Sequence, residues 1–260
     1  MKDLTRNESS APEIVDRATF QAELDALRLR EKAHTRQGGA IAAARRRLPM
    51  VEVDGTTPLI GERGAVTLLD VFEGRRMLIA YYFMWYTGHP APEQCEGCTL
   101  YTSQVRELSY IHSRDVTYAT FCQGPYEESL RYRKFMGWEM PWYSAEDSLD
   151  TLLAGREANT MYIVCYLRQG SNVFETYWTT RRGVEAMDNS YRLLDLTVYG
   201  ISRSDRVVPP ELAEQKSGGV LSRLRGHRGQ CTGERTAIGM PFHHRLCARH
   251  QGLGRSVVAP

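Results

Sequence analysis

Apolar positions along the chain change period several times, and each change marks an element. Residues 1–17 are polar without periodicity and are expected to be disordered. Phe20, Leu24, Leu27 and Leu29 then form a helical stripe, with Thr19 as the expected cap. Gly38-Gly39 is expected to interrupt that helix, and residues 40–48 to form a second one stopped by Pro49. Residues 18–50 thus read as a helical extension that packs on the core or across a homodimer. Val51-Glu52-Val53 alternates as a short strand, Asp54-Gly55 is turn chemistry, and residues 66–72 read as a second strand or a short turn. Residues 77–85 are apolar at nearly every position, the pattern of a strand buried on both faces. After a loop, Leu100, Val105 and Leu108 recur at helical spacing, and the helix is expected to reach about His112.

The second half of the pattern completes a fold. Residues 116–122 are rich in β-formers and read as a strand parallel to the first. Residues 126–135 are helical, and residues 137–144 leave that helix as an aromatic loop. Residues 161–167 and 173–178 are strands joined by Gln169-Gly170-Ser171-Asn172, a β-hairpin. Residues 184–194 read as a final helix. The order is β-α-β, a connecting helix, then β-β-α. This predicts an α/β, thioredoxin-like fold over residues 51–200, with a central mixed sheet. Residues 201–260 are rich in Arg, Gly, Ser and His, and are expected to be a poorly ordered tail.

The loop after the apolar strand carries Cys95-Glu96-Gly97-Cys98 at the head of the next helix. Open α/β sheets keep their sites at the carboxyl ends of such strands. A helix start offers unpaired N–H groups and about half a positive charge, which favours the reactive thiolate. Two intervening residues put the second sulfur one turn along, close enough to attack the first. A lone CxxC is also half of a zinc site, or a pair of buried thiols.

Composition narrows the choice of class. The chain has 260 residues, 42% hydrophobic and 25% charged, as in ordinary globular proteins. Net charge is +2, which argues against a nucleic-acid partner, and Arg45-Arg46-Arg47 reads as a solvated helix end. No run approaches the roughly 20 apolar residues of a membrane span. The first residues lack the apolar core of a signal peptide, so a cytoplasmic protein without membrane contact is expected. The 6 cysteines are too sparse for a secreted disulfide scaffold. In a reducing compartment a close pair is catalytic or metal-binding more often than structural.

The sequence resembles a bacterial family known as domain of unknown function 899. The likeness lies in residues 44–49, Tyr82-Phe83-Met84-Trp85, residues 94–99, Phe135-Met136-Gly137-Trp138, Pro141-Trp142-Tyr143-Ser144, and residues 193–197 with Tyr199-Gly200. The resemblance extends over roughly residues 18–200. The resemblance implies a thioredoxin-like dithiol–disulfide oxidoreductase with Cys95 and Cys98 as its redox pair. Two departures are visible. Thioredoxins place a proline before the third core strand, where this chain has Asn159-Thr160-Met161. Relatives continue past the core with an acidic, Trp-containing segment, whereas this tail is Arg-rich.

In the redox reading Cys95 attacks and Cys98 resolves, because Cys95 holds the helix boundary and Cys98 lies inside the first turn. Glu96 opposes the thiolate and no basic residue is adjacent, so a weakly activated, reducing-type pair is expected. His89 and Cys122 are auxiliary candidates, against an exposed loop histidine and a buried thiol as the plainer readings. Trp85, Tyr86, Trp138 and Trp142 are candidates to wall a pocket, against simple core packing. Cys165, in mid-strand, reads as packing. The partners expected are a disulfide-containing protein or small thiol and an external dithiol electron donor; no cofactor and no metal are expected. A zinc alternative would join Cys95 and Cys98 to Cys231, His243, His244, Cys247 or His250. A peroxide substrate is a variant, but Gly88 and Ala91 stand where the proline of a Pro-x-x-x-Thr-x-x-Cys pattern would be. The contrasting class is a non-catalytic binding protein on the same scaffold.

Overall fold

The sheet is built outward from the apolar strand. In the computed structural model, which describes residues 12–198, that strand is β4 (Met77–Phe83), two residues shorter than the apolar run. β5 (Val116–Cys122) pairs parallel to it, Met77 opposite Val116 and Phe83 opposite Cys122. β7 (Tyr162–Gln169) pairs antiparallel on the other side, and β8 (Asn172–Thr180) returns antiparallel to β7. The four adjacent strands β5-β4-β7-β8, with a helix between β4 and β5, make the thioredoxin-like core. β6 (Trp142–Ser144) extends it parallel to β5, followed by β2 (Pro58–Gly61) and β3 (Gly64–Thr67) as an antiparallel hairpin. β1 (Val51–Val53) closes the far edge against β8.

Alternation along β4 sends its side chains to two unlike layers. Leu78, Ala80 and Tyr82 join Ala119, Phe121, Val164 and Val173 in a cluster shielded by Leu68, Val71 and Phe72. The register places Tyr81 beside Thr120 and Phe83 beside Cys122 on the opposite face. There the Phe83 ring lies within 5.4–6.4 Å of the rings of Tyr81, Trp85, Tyr132, Trp138 and Trp142. This aromatic layer carries the CxxC helix α2 (Glu96–Gln104) and α4 (Tyr126–Met136). Gly137, at a φ of 66°, ends α4 in the left-handed conformation that favours glycine.

Several boundaries differ from the pattern reading, each for a local reason. Gly38-Gly39 does not interrupt the first helix: α1 (Arg17–Arg45) runs through it. Each glycine costs about 1 kcal/mol there, and the helix formers on either side absorb that. The cap is Asp16, whose carboxylate accepts the Thr19 N–H at 2.8 Å; Thr19 is the donor. α2 stops at Gln104 because Val105 turns extended, at φ −103° and ψ 90°, and Arg106 Nε donates to the freed Ser103 carbonyl. A separate turn, α3 (Ser109–His112), follows. The end of the aromatic loop is strand β6, and a short helix α5 (Leu149–Leu152) follows it. The final helix is a 3-10 segment (Arg181–Met187) and a short α6 (Ser190–Leu194). Buried Asp188 separates them by accepting the N–H groups of Ser190 and Tyr191. The expected tail, residues 201–260, lies outside the described residues.

Candidate active site

The CxxC sits where β4 hands the chain to α2. Cys95 is the N-cap of α2, and its sulfur accepts the Cys98 N–H at 3.4 Å. Cys98, one turn on, is fully buried, and its sulfur accepts the Met84 N–H at 3.4 Å. Met84 Sδ lies 3.9 Å from Cys95 Sγ. Both cysteines are free thiols, Cys95 half-buried.

Their environments push the two thiols apart. The Cys98 thiol donates toward Cys95 and lowers it. The N–H groups of Cys98 and Gly97 add to this, while burial and the Glu96 charge oppose it, and the result is about 7. Cys98 moves the other way, because burial and the neighbouring Cys95 penalise its charge. One thiol is held toward its thiolate and the other is held protonated.

The loop before Cys95 is held shut by Gln94, a residue the pattern reading passed over. Its side chain is buried, accepts the Tyr86 N–H at 3.0 Å, and donates to the carbonyls of Tyr86 and His89 at 2.8 and 3.0 Å. Gly88 N–H donates to Glu128 on α4 at 2.8 Å. Across the site, Gln123 at the end of β5 accepts the Asn159 N–H at 2.8 Å and donates to the Thr160 carbonyl at 2.9 Å. It holds the 159–161 loop beside the head of α2, where a Cβ on Gly97 would meet the Met161 methyl at 3.3 Å. Amide side chains that read as loop polarity are the clamps. Their only signal in sequence is position, immediately before Cys95 and immediately after β5.

The other candidates separate. His89 Nδ1 lies 2.9 Å from Glu93 on the exposed loop, and its ring meets Tyr86 edge-on, so its partner is a carboxylate. Cys122 is fully buried in the layer below, and burial pushes it up to about 12, which keeps it protonated. Cys165 is pushed up to about 11 in the same way. Trp138 and Trp142 stack at 5.6 Å inside the aromatic layer, both buried. Trp85 is also buried but lines a cavity of about 250 Å³ with His89, Pro90, Glu128, Tyr132 and Phe135. A Cβ on Gly124 would stand 2.2 Å from the Trp85 ring, so glycine is required for this packing. Tyr86 is the exposed aromatic of the set. Among the described residues no three His, Cys, Asp or Glu side chains converge as metal ligands. The Cys231–His250 cluster lies outside the described residues. No helix among those residues is long and apolar enough to cross a membrane.

Strand order and site together define a thioredoxin-like scaffold with a CxxC pair at a helix head. The chain matches the family model "bacterial protein of unknown function (DUF899)" over residues 9–214, and it belongs to that family. No curated protein sequence matches it. Solved structures to which it is similar include Xanthomonas campestris peroxiredoxin Q, at 12% identity and TM-score 0.38, covering 56% of this chain and 98% of that one. Peroxidoxin BcpB from Mycobacterium tuberculosis is similar at 10% identity and TM-score 0.37, covering 68% and 97%. Thioredoxin from Wuchereria bancrofti is similar at 14% and 0.35, covering 54% and 91%.

Proposed function

We propose that the protein is a dithiol–disulfide oxidoreductase that reduces disulfides through Cys95 and Cys98. One observation carries the reading. Cys95 stands half-buried at the head of α2, held near pKa 7 by a buried Cys98 one turn away. The Cys95 thiolate attacks a substrate disulfide, one substrate sulfur leaves as a thiolate, and a mixed disulfide forms on Cys95. Cys98 gives up its proton and its sulfur attacks Cys95 Sγ. The 95–98 disulfide forms, and the second substrate sulfur leaves and takes a proton. Two electrons pass from the dithiol to the substrate. An external dithiol then returns the pair to the reduced state.

The substrate class is a disulfide-bearing protein or small disulfide. A reducing compartment such as the cytoplasm suits both this direction and the sparse cysteines, and it belongs to the same proposal. The test is to trap the intermediate. Cys98→Ser incubated with a disulfide substrate accumulates a covalent adduct on Cys95, which the wild type clears. A Cys98→Ser protein that stays unmodified while the wild type turns over would place the chemistry elsewhere.

A further inference from the structure

The resolving step asks a fully buried thiol to become a thiolate. Burial alone makes that costly, and one donor, the Met84 N–H, reaches the Cys98 sulfur at 3.4 Å. The layer beneath α2 holds a group with no assigned task. Tyr81 is fully buried on β4, on the strand face that carries α2, and its hydroxyl has no hydrogen-bond partner. Such a group is rare in a native interior and calls for an explanation. Three other buried hydroxyls in this layer also lack partners: Thr102, one turn beyond Cys98 on α2, and Tyr118 and Thr120 on β5. Tyr81 lies three residues before Met84, whose N–H reaches the Cys98 sulfur, so its side chain rises from the same strand toward the head of α2, and its nearness favours the Cys98 thiolate against burial.

We propose that the Tyr81 hydroxyl is a hydrogen-bond donor to the Cys98 thiolate formed during resolution of the mixed disulfide. In the free dithiol the O–H faces a neutral sulfur, a weak acceptor, and no well-formed hydrogen bond joins them. When Cys98 loses its proton, the sulfur becomes a strong acceptor and the O–H and the Met84 N–H both point charge at it. Tyr81 remains a neutral phenol throughout, since burial and then the neighbouring Cys98 and Cys95 hold its pKa well above the usual range. The titratable groups facing it are Cys98 and Cys95 from the site and Tyr118 from β5. Tyr81 therefore acts directly on the reacting sulfur in the second half of the reaction and has no part in the first.

The inference rests on the dithiol mechanism, and its test separates the two. Tyr81→Phe deletes the O–H and keeps the ring, with its edge-on contact to Phe83 at 6.4 Å. Reduced full-length protein is mixed with the aromatic disulfide DTNB, quenched in acid at intervals and digested with trypsin. Residues 77–106 form one tryptic peptide that contains Cys95 and Cys98 and no other cysteine, so its mass reads adduct and internal disulfide directly. Adduct formation proceeds at the wild-type rate in Tyr81→Phe, within about twofold. Conversion to the disulfide slows roughly 10- to 100-fold, the usual worth of a hydrogen bond to a charged group. Its pH profile moves to higher pH. Thr102→Val, which deletes a neighbouring buried hydroxyl, converts at the wild-type rate. Equal conversion in Tyr81→Phe and wild type, or equal slowing in Thr102→Val, overturns the role of Tyr81 alone. A wild-type peptide that forms no disulfide overturns the dithiol mechanism and this role with it.

Discussion

Replacing Cys95 with serine abolishes disulfide reduction, to below about a thousandth of the wild-type rate, and removes one phase of thiol alkylation. The two losses share a cause. A serine hydroxyl at the N-cap still accepts the Cys98 N–H, so α2 keeps its cap and the fold is retained. What disappears is, among the described residues, the one thiol held at about 7. The sign is simple for a lowered thiol: reactivity rises with pH and reaches half its limit near the folded pKa. In wild type, iodoacetamide labels Cys95 with a midpoint near pH 7. About half of it is thiolate at neutral pH, against about 3% for an ordinary thiol. Cys122 and Cys165, pushed up to about 12 and 11, contribute nothing there. Undiminished turnover in Cys95→Ser would refute the nucleophile, and a labelling midpoint above about 8.5 would refute its activation.

The largest stability effect is expected far from the cysteines, at Glu175→Ala. Arg156 and Glu175 form a two-pronged ion pair at 3.2 and 2.7 Å, with side chains only 10% and 13% exposed. The same guanidinium donates to the Leu152 carbonyl at 3.1 Å and lies 5.3 Å over the Trp178 ring. It thereby fastens the end of α5 to β8. Such a pair adds little net stability against an apolar replacement, but removing one partner strands a buried charge and costs about 3–5 kcal/mol. For a chain of this size the melting midpoint falls by roughly 10 °C. Cys95 labelling below the midpoint is unchanged, because the pair joins the segment after α5 to β8 and makes no contact with Cys95 or Cys98. A shift under about 2 °C would show that water reaches the guanidinium and that the pair is not buried in solution.

The core of the fold was legible because its signals are local and strong. An apolar run such as 77–85 between turn residues admits few readings, and the β7–β8 hairpin is announced by its turn. The placing of Cys95 and Cys98 at one helix head was legible for the same reason, since their spacing and the helical pattern that follows are both local. Elements held by distant partners were not. β6 is three residues after a proline, and it is a strand because β5 and β2 flank it. β2 and β3 have no alternation long enough to read. The helix stops at Gln104 and Asp188 depend on where Arg106 and a buried carboxylate happen to reach. The clamps at Gln94 and Gln123 look like any loop amide until the backbone they bind is in place. Tyr81 was hidden for the opposite reason. In a run of apolar residues its hydroxyl reads as core, and only the register brings it to the face under α2.

The measurement that tests the central claim most directly is a redox titration of the full chain in dithiothreitol buffers of defined poise, with the 77–106 peptide read by mass. The account predicts one reversible two-electron transition between dithiol and 95–98 disulfide, near the thioredoxin range of about −270 mV. Persistence of two free thiols in that peptide at every poise would contradict it.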